Sequence, residues 1–206
     1  MNNKKVLIAA VLAFALLLAG ASVLYSRLGA QLAPDQLAVQ QTLPPSLEET
    51  LPTEAMEPTA PEQSQAETFP APDFTVYDLA GNPVRLSDGF GKPLVLNFWA
   101  SWCGPCQMEM PDFQEKYLEL GDEVTFMIVN MTDGSRETVE IASAFIRDMG
   151  YTFPVYYDTD MDAAITYSVY SLPTTYFVDA QGNLVAQATG AIDAQTLQRG
   201  IDLITQ

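Results

Sequence analysis

Two cysteines separated by a Gly-Pro pair constrain the fold of this chain more than any other feature, because its 206 residues contain no further cysteine. They lie in the run Trp102-Cys103-Gly104-Pro105-Cys106, after a six-residue, mostly apolar run that suits a buried strand and before a segment expected to be helical. A thiol at the start of a helix meets unpaired backbone N–H groups and the positive end of the helix dipole, which stabilise its thiolate. We therefore predict a strand–motif–helix unit in which Cys103 attacks a disulfide and Cys106, one turn into the helix, resolves the mixed disulfide.

Three other uses of a cysteine pair fit the sequence less well. A zinc site normally has four ligands, whereas the chain offers two thiolates and no histidine. Covalent haem attachment requires a histidine after the second cysteine, where Gln107 stands. A purely structural disulfide would close a very short loop and would constrain the unfolded chain only weakly. We therefore expect redox chemistry without a metal ion or other cofactor, and the structural disulfide stays open as the alternative.

The charge of the chain limits its partners. Nine Lys and Arg residues stand against twenty-six Asp and Glu residues, which gives a formal net charge of -17, and there is no histidine. Phosphate backbones are bound by basic surfaces, so we do not expect nucleic acid as a partner. The absence of histidine excludes His-based catalytic triads and histidine proton shuttles.

The N-terminal segment predicts export. Residues 1–5 contain Lys4 and Lys5, and residues 6–25 are almost entirely apolar. A helix of about nineteen residues spans about 28 Å, close to the hydrocarbon thickness of a bilayer. We therefore expect a cytoplasmic N-terminus at residues 1–5, a single transmembrane anchor at residues 6–25, and an extracytoplasmic remainder. A secretory signal cleaved near residues 19–21 stays open as the alternative, and it would release the protein from the membrane.

Residues 26–68 predict an extended linker. The segment is rich in proline and glutamate, and no Lys or Arg occurs between Arg27 and Arg85. Prolines stiffen the backbone and like charges repel one another. We therefore expect a disordered, solvated spacer that holds the domain at residues 69–206 away from the membrane.

Residues 69–206 predict one α/β domain. Strands alternate with helices, and a hairpin and a last helix close the chain, which favours a central mixed sheet with helices on both faces. An extra β-hairpin is expected at the start of the domain. The segments that carry this prediction are strands at 94–99 and 124–129, hairpins at 74–86 and 174–188, and helices that run from the motif to about residue 120, at 139–149 and at 196–204.

The motif and its surroundings resemble a known family. The run from Phe98 to Cys106 resembles the active-site segment of the thioredoxin superfamily. The following Glu109-Met110-Pro111 resembles the TlpA/ResA-type branch, whose members are membrane-anchored thiol–disulfide oxidoreductases. The resemblance covers about residues 69–206. It implies a thioredoxin fold with an attacking and a resolving cysteine at the two positions named above.

The resemblance also implies a surface for substrates. Pro173 matches the cis-proline that faces the dithiol in this fold, and a cis bond there would expose the backbone of Leu172 to an extended substrate. Trp102, Gly104 and Pro105 would contact the substrate beside the sulfurs. A trans bond before Pro173 and a Trp102 that simply packs in the core stay open as alternatives.

One departure from the thioredoxin pattern concerns proton transfer. Cytoplasmic thioredoxins have a buried Asp where this chain has Asn97, and an Asn side chain cannot act as a general base. Glu109 lies three residues after Cys106 on the same face of the predicted helix, and it matches the active-site Glu of the ResA-type branch. We expect Glu109 to be partly desolvated, to have a raised pKa and to handle the proton. A solvated Glu109 on the helix surface is the alternative.

The resemblance implies a reductase that acts on exported proteins such as apocytochrome c and receives electrons from a membrane carrier of the CcdA/DsbD type. The Gly-Pro pair between the cysteines resembles that of reducing thioredoxins, which favours reduction over oxidation. Two other functions are alternatives to a reductase. A thiol peroxidase of the same fold would have a Thr three residues before its peroxidatic Cys, where this chain has Ala100. A non-catalytic binding module would keep its function without the two thiols.

Overall fold

The computed structural model describes residues 37–39 and 69–206. The predicted anchor at residues 6–25 and most of the predicted linker at residues 26–68 lie outside the described residues. Within the described part, no helix combines the length and the apolar character needed to cross a membrane. The strands are β1 (Leu37–Val39), β2 (Thr75–Tyr77), β3 (Pro83–Arg85), β4 (Leu94–Trp99), β5 (Thr125–Asn130), β6 (Val155–Tyr157), β7 (Thr174–Val178) and β8 (Leu184–Thr189). The helices are α1 (Gly104–Leu120), α2 (Val139–Met149), α3 (Asp162–Thr166) and α4 (Ala194–Ile204), with a short 3₁₀ helix at Leu86–Gly89.

One mixed sheet organises the described residues, with the strand order β1-β8-β7-β4-β5-β6-β2-β3. β4, β5 and β6 are parallel to one another, and the other neighbouring strands pair antiparallel. β4 lies between β5 and β7, so the cysteine motif that follows it is placed at the middle of one end of the sheet. The predicted central mixed sheet is confirmed.

β4 positions the motif. All six of its residues are buried, and successive side chains alternate between the two faces of the sheet. Val95 and Trp99 pack on the face covered by α1, α2 and α4, whereas Leu96 and Phe98 pack on the face that carries α3. Helices therefore cover both faces, and a strand buried on both sides requires the nearly continuous apolar run that the sequence shows.

The ends of the longer helices agree with the predictions to within two residues. α1 ends before Gly121, as expected. α2 spans the predicted Val139–Met149, and the hydroxyl oxygen of Thr138 accepts the N–H of Ile141 at 3.3 Å to cap it. Gly150 then adopts a φ of 72°, a left-handed conformation that glycine reaches without steric cost, and the helix stops there.

At the start of the domain, β2 and β3 pair antiparallel in the segment where a hairpin was expected. β2 also pairs with β6 through Tyr77 and Tyr157, which attaches the two strands to the main sheet. Asp78 holds the turn between them, because its Oδ1 accepts the N–H groups of Ala80 and Asn82 at 2.9 and 2.8 Å.

Three elements were not predicted. β6 and α3 contain three and five residues, which is too short for a sequence period to show. β1 lies within the segment predicted to be a disordered linker, yet it pairs antiparallel with β8, with Leu37 opposite Ala188. Strands this short are stabilised by the strands with which they pair, and their own sequence does not reveal them.

Candidate active site

The two cysteines lie just after the carboxyl end of β4 and at the start of α1, and a disulfide joins them. Cys103 is the N-cap residue of α1, and its Sγ accepts the backbone N–H of Cys106 at 3.2 Å. Cys103 retains 5% of its accessible surface, whereas Cys106 is fully buried. The helix start therefore supplies a hydrogen-bond donor to the outer sulfur, the arrangement that stabilises a thiolate. Cys106 is the less exposed of the two, as predicted.

A groove of about 560 Å³ opens beside Cys103. Four of the five residues expected to contact a substrate line it, namely Trp102, Gly104, Pro105 and Leu172. Much of the remaining wall is apolar and comes from other parts of the chain, namely Met131, Met161, Val169 and Tyr170. The fold therefore brings the cysteine motif and the segment before β7 together around one opening, which has the size of a typical ligand groove.

The peptide bond between Leu172 and Pro173 is cis, as the resemblance implied. Pro173 is buried directly before β7, and its carbonyl oxygen accepts the N–H of Gly190 at 2.9 Å. The hydroxyl of Thr174 donates to the carbonyl oxygen of Ser171 at 2.8 Å. These two hydrogen bonds hold residues 171–174 in place. Leu172 lines the groove, whereas Pro173 is not among the lining residues.

Glu109 is buried inside the domain, with 2% of its surface accessible. Its Oε1 accepts the side-chain N–H of Asn97 at 2.8 Å, and its Oε2 accepts the backbone N–H of Ile192 at 3.0 Å. Burial raises the pKa of Glu109 to about 7, because desolvation disfavours the charged carboxylate more strongly than the two hydrogen bonds favour it. The nearby charge of Asp112 acts in the same direction as burial. The raised pKa agrees with the prediction, and the alternative of a solvated Glu109 is excluded.

Two partners of Glu109 come from distant parts of the chain and were not foreseen. Asn97 on β4 also donates to the hydroxyl oxygen of Thr175 on β7 at 3.0 Å, which fixes the orientation of its amide. Ile192, in the loop before α4, contributes only its backbone N–H. No side-chain chemistry marks a backbone donor in a sequence, so only the folded chain reveals this contact.

A second buried carboxylate supports the motif from the other side. Glu137 has no accessible surface, and its Oε1 accepts the backbone N–H of Ser101 and the side-chain N–H of Asn130, both at 2.7 Å. Its Oε2 accepts the hydroxyl of Ser101, also at 2.7 Å. Glu137 therefore holds the turn that leads into Cys103. The role of Glu137 was not predicted, because this residue stands in a polar stretch typical of a surface loop.

Trp102 forms one wall of the groove and is 42% exposed, which excludes simple core packing. The guanidinium carbon of Arg136 lies 3.8 Å from the centre of its ring, a cation–π contact. Arg136 is exposed and also lines the groove. The contact between Arg136 and Trp102 was not predicted, because thirty-four positions separate the two residues along the chain.

The described residues offer no evident metal site: within 37–39 and 69–206, no three Cys, His, Asp or Glu side chains are grouped so that they could hold a metal ion. What the arrangement supports is thiol chemistry. It combines an outer sulfur beside an open groove, an inner sulfur, and a buried carboxyl group one helical turn beyond the inner sulfur.

Comparison with known proteins places most of the described domain in a protein family. The family model described as the AhpC/TSA family matches residues 69–187. This range contains both cysteines, Glu109 and Pro173.

Individual relatives match about two thirds of the chain. The thioredoxin-like protein YneN of Bacillus subtilis (strain 168) is 35% identical over 133 residues, which are 65% of this chain and 77% of that protein. The thiol-disulfide oxidoreductase ResA of Geobacillus kaustophilus (strain HTA426) is 36% identical over 135 residues, which are 65% of this chain and 75% of that protein. Among solved structures, the pneumococcal exposed lipoprotein thioredoxin Etrx1 from Streptococcus pneumoniae (strain TIGR4) is similar with a TM-score of 0.54 and 33% identity, and the match covers 64% of this chain and 98% of that one.

Proposed function

Because the chain belongs to the AhpC/TSA family and is a thiol–disulfide oxidoreductase of the ResA type, we propose that it reduces disulfide bonds in exported proteins. One observation carries the proposal: the two cysteines form a bonded pair at a helix start, and only Cys103 borders an open groove. In such a pair, Cys103 can attack an incoming disulfide, and Cys106 remains available to resolve the mixed disulfide in the second step.

In the proposed reaction, the thiolate of Cys103 attacks one sulfur of the substrate disulfide. A bond forms between Cys103 and that sulfur, the substrate disulfide breaks, and the other substrate sulfur leaves as a thiolate. The thiolate of Cys106 then attacks the Sγ of Cys103 and expels the second substrate sulfur. The enzyme is left with the disulfide seen in the structure. Two electrons pass to the substrate, and the two protons given up by the enzyme's thiols balance those taken up by the substrate's.

Glu109 is proposed to accept the proton of the Cys106 thiol. Cys106 is fully buried, so bulk water does not reach its sulfur directly. Glu109 follows three residues later on α1. With a pKa raised to about 7, its carboxylate is a base of suitable strength at neutral pH, because a general base works best when its pKa lies near the working pH.

The proposed site of action is the outer side of the cell membrane. Residues 6–25 have the length and apolar character of a single transmembrane anchor, and Lys4 and Lys5 before it favour a cytoplasmic N-terminus. The similar pneumococcal protein Etrx1 is an exposed lipoprotein thioredoxin. An outward-facing reductase needs electrons from inside, so we propose a membrane carrier of the CcdA/DsbD type as donor and the disulfides of apocytochrome c or other exported proteins as substrates.

Substrate trapping tests the reaction. In a Cys106→Ser variant the mixed disulfide through Cys103 cannot be resolved, so covalent complexes should accumulate and their partners can be identified by mass spectrometry. Cys103→Ser is the matched control, because it keeps one thiol but removes the one beside the groove. Equal trapping by the two variants would contradict the assigned roles.

The direction of electron flow is tested by equilibrating the full chain with glutathione buffers. In a reductase, the reduction potential of the Cys103–Cys106 disulfide should lie near that of thioredoxin, about -270 mV, and not near that of a strong oxidant, about -120 mV. A value close to the second figure would reverse the proposed direction.

The location is tested by labelling. After brief reduction of intact cells, a membrane-impermeant maleimide should label Cys103, and an endogenous cytoplasmic thiol protein should stay unlabelled until lysis. Labelling of Cys103 only after lysis would refute the extracytoplasmic location.

A further inference from the structure

The loop at residues 133–137 contacts the segment that leads into the cysteine motif. Two consecutive residues of the loop contact two consecutive residues before Cys103: Arg136 stacks on Trp102, and Glu137 accepts two hydrogen bonds from Ser101. Both contacts are short, at 3.8 Å to the ring centre and 2.7 Å for each hydrogen bond. The wall of the groove at Trp102 is therefore built from both segments together.

The loop itself is held in shape by Asp133. Its Oδ1 accepts the backbone N–H groups of Ser135, Arg136 and Glu137 at 2.7, 2.8 and 3.0 Å. These bonds, led by the one from Glu137, hold the pKa of Asp133 below its usual value. One oxygen of the Asp133 carboxylate is therefore engaged by its own loop, and the backbone of Arg136 is fixed on one side of the groove.

Arg136 brings a positive charge to a groove that Asp133 also lines. In the part of the chain that the structure describes, no salt bridge joins Arg136 to a carboxylate, whereas Arg85, Lys116 and Arg147 each have an acidic partner. Arg136 is also the one cation among the residues that line the groove beside Cys103. In a chain with nine Lys and Arg residues and a net charge of -17, a cation without a salt bridge in the groove that Cys103 lines is a specific local feature.

We propose that Arg136 is a specificity-determining residue, which pairs with an acidic side chain of the substrate next to its reactive disulfide. Stacking on Trp102 holds the guanidinium at the rim of the groove while its N–H groups remain able to donate to a carboxylate. The apolar walls then accept the rest of the substrate segment. The inference rests on the proposed function, since it concerns which disulfides that reaction selects.

Three disulfide peptides that differ only in the residue beside the reactive cysteine, which is Glu, Gln or Lys, test the proposal. The reduced full chain in nonionic detergent is mixed with each peptide, and the second-order rate constant is measured by acid quench and thiol alkylation. The test compares wild type with Arg136→Gln. Arg147→Gln is the matched control, because it removes the same charge at an exposed residue that does not line this groove.

Arg136→Gln should slow reduction of the glutamate peptide about two- to fivefold more than reduction of the glutamine peptide, the range expected for one exposed ion pair. The lysine peptide should show a change of opposite sign. The differences should shrink at high salt, because salt screens exposed charges. Arg147→Gln should lower or raise all three rates by the same factor.

Equal effects of Arg136→Gln on the glutamate and glutamine peptides would overturn the inference while leaving the proposed function intact. Equal peptide-selective effects of Arg147→Gln would also overturn it, because they would trace the preference to net charge. If the wild-type chain reduces none of the three peptides, the proposed function fails and this inference fails with it.

Discussion

Asn97 donates its side-chain N–H to Glu109 across 2.8 Å inside the core, on the side of the sheet where Cys106 is buried. The position at which cytoplasmic thioredoxins have a buried Asp is thus occupied by a hydrogen-bond donor that orients another carboxyl group. In the proposed mechanism, the proton is accepted by Glu109 on the helix and not by a residue of the strand, and Asn97 orients that carboxyl group.

Glu109→Gln is expected to remove a pH dependence of stability. The folded-state pKa of about 7 lies above the ordinary value of 4.5, so the folded protein binds more protons than the unfolded chain between these pH values, and the free energy of unfolding falls as the pH rises through them. Between pH 4.5 and pH 7, ionisation of Glu109 should lower the free energy of unfolding of the wild type by up to about 3 kcal/mol. In the variant, the free energy of unfolding should lack this decrease with pH. Denaturant unfolding of the oxidised protein from pH 4.5 to 8 measures it.

Glu115→Gln, at an exposed position of the same helix, is the control for that experiment. It should keep the wild-type slope. The proposed catalytic role is checked in parallel, because Glu109→Gln should shift the pH profile of Cys106 alkylation in the reduced protein. Superimposable profiles for wild type and Glu109→Gln would rule out proton transfer through this carboxyl group.

Asn97→Asp is expected to make stability depend more steeply on pH. The substitution removes a donor and places a second carboxyl group beside Glu109, and two buried carboxyl groups at this distance cannot both ionise readily. The variant should be less stable than the wild type by about 2–4 kcal/mol at pH 8, with a smaller difference at pH 5. Chemical denaturation at the two pH values measures this, with Gln181→Glu in an exposed turn as the charge control. A pH-independent difference would show that the two groups do not interact.

Glu137→Ala is expected to destabilise the protein and to make the turn before Cys103 less rigid. It leaves the backbone N–H of Ser101 and the amide of Asn130 without their acceptor, which should lower the free energy of unfolding by about 2–4 kcal/mol. Hydrogen exchange at the Ser101 amide should accelerate as well. The exposed Glu123→Ala should change neither quantity, and unchanged exchange at Ser101 in Glu137→Ala would argue against a positioning role.

The reduced protein is expected to consume hydrogen peroxide only slowly. Thiol peroxidases of this fold would use a Thr three residues before their reactive cysteine, whereas Ala100 is a buried methyl side chain that cannot hydrogen-bond a peroxide. Peroxide consumption should therefore resemble that of an ordinary exposed thiol, measured against the double variant Cys103→Ser, Cys106→Ser. Rapid turnover by the wild type would instead favour the peroxidase function.

Much of the fold followed from patterns with a local cause. The apolar run at Leu94–Trp99 predicted the central strand because a strand covered on both faces needs apolar side chains throughout. α2 was predicted to the residue because Gly150 and the amphipathic spacing before it mark a helix and its end. β6, α3 and β1 were missed because each is short and is stabilised by neighbours that are distant in the sequence.

The candidate site divides in the same way. Cys103 and Cys106 were predicted from their spacing of three residues at a helix start. The raised pKa of Glu109 was predicted from its position three residues further along the same helix face and from the resemblance to the ResA-type branch. Glu137 and Arg136 were not predicted, although both contact the turn before Cys103.

The position of the redox pair, the helix that begins at it and the carboxyl group one turn later could all be predicted from the order of the amino acids. The groups around them became visible only in the folded chain: the donors that orient Glu109, the carboxylate that binds Ser101, and the cation stacked on Trp102. The two sets of features differ in the range of the interactions that produce them. Helix geometry and thiol chemistry act between neighbours in the chain, whereas burial, hydrogen bonding and charge pairing depend on segments that the sheet brings together from far apart.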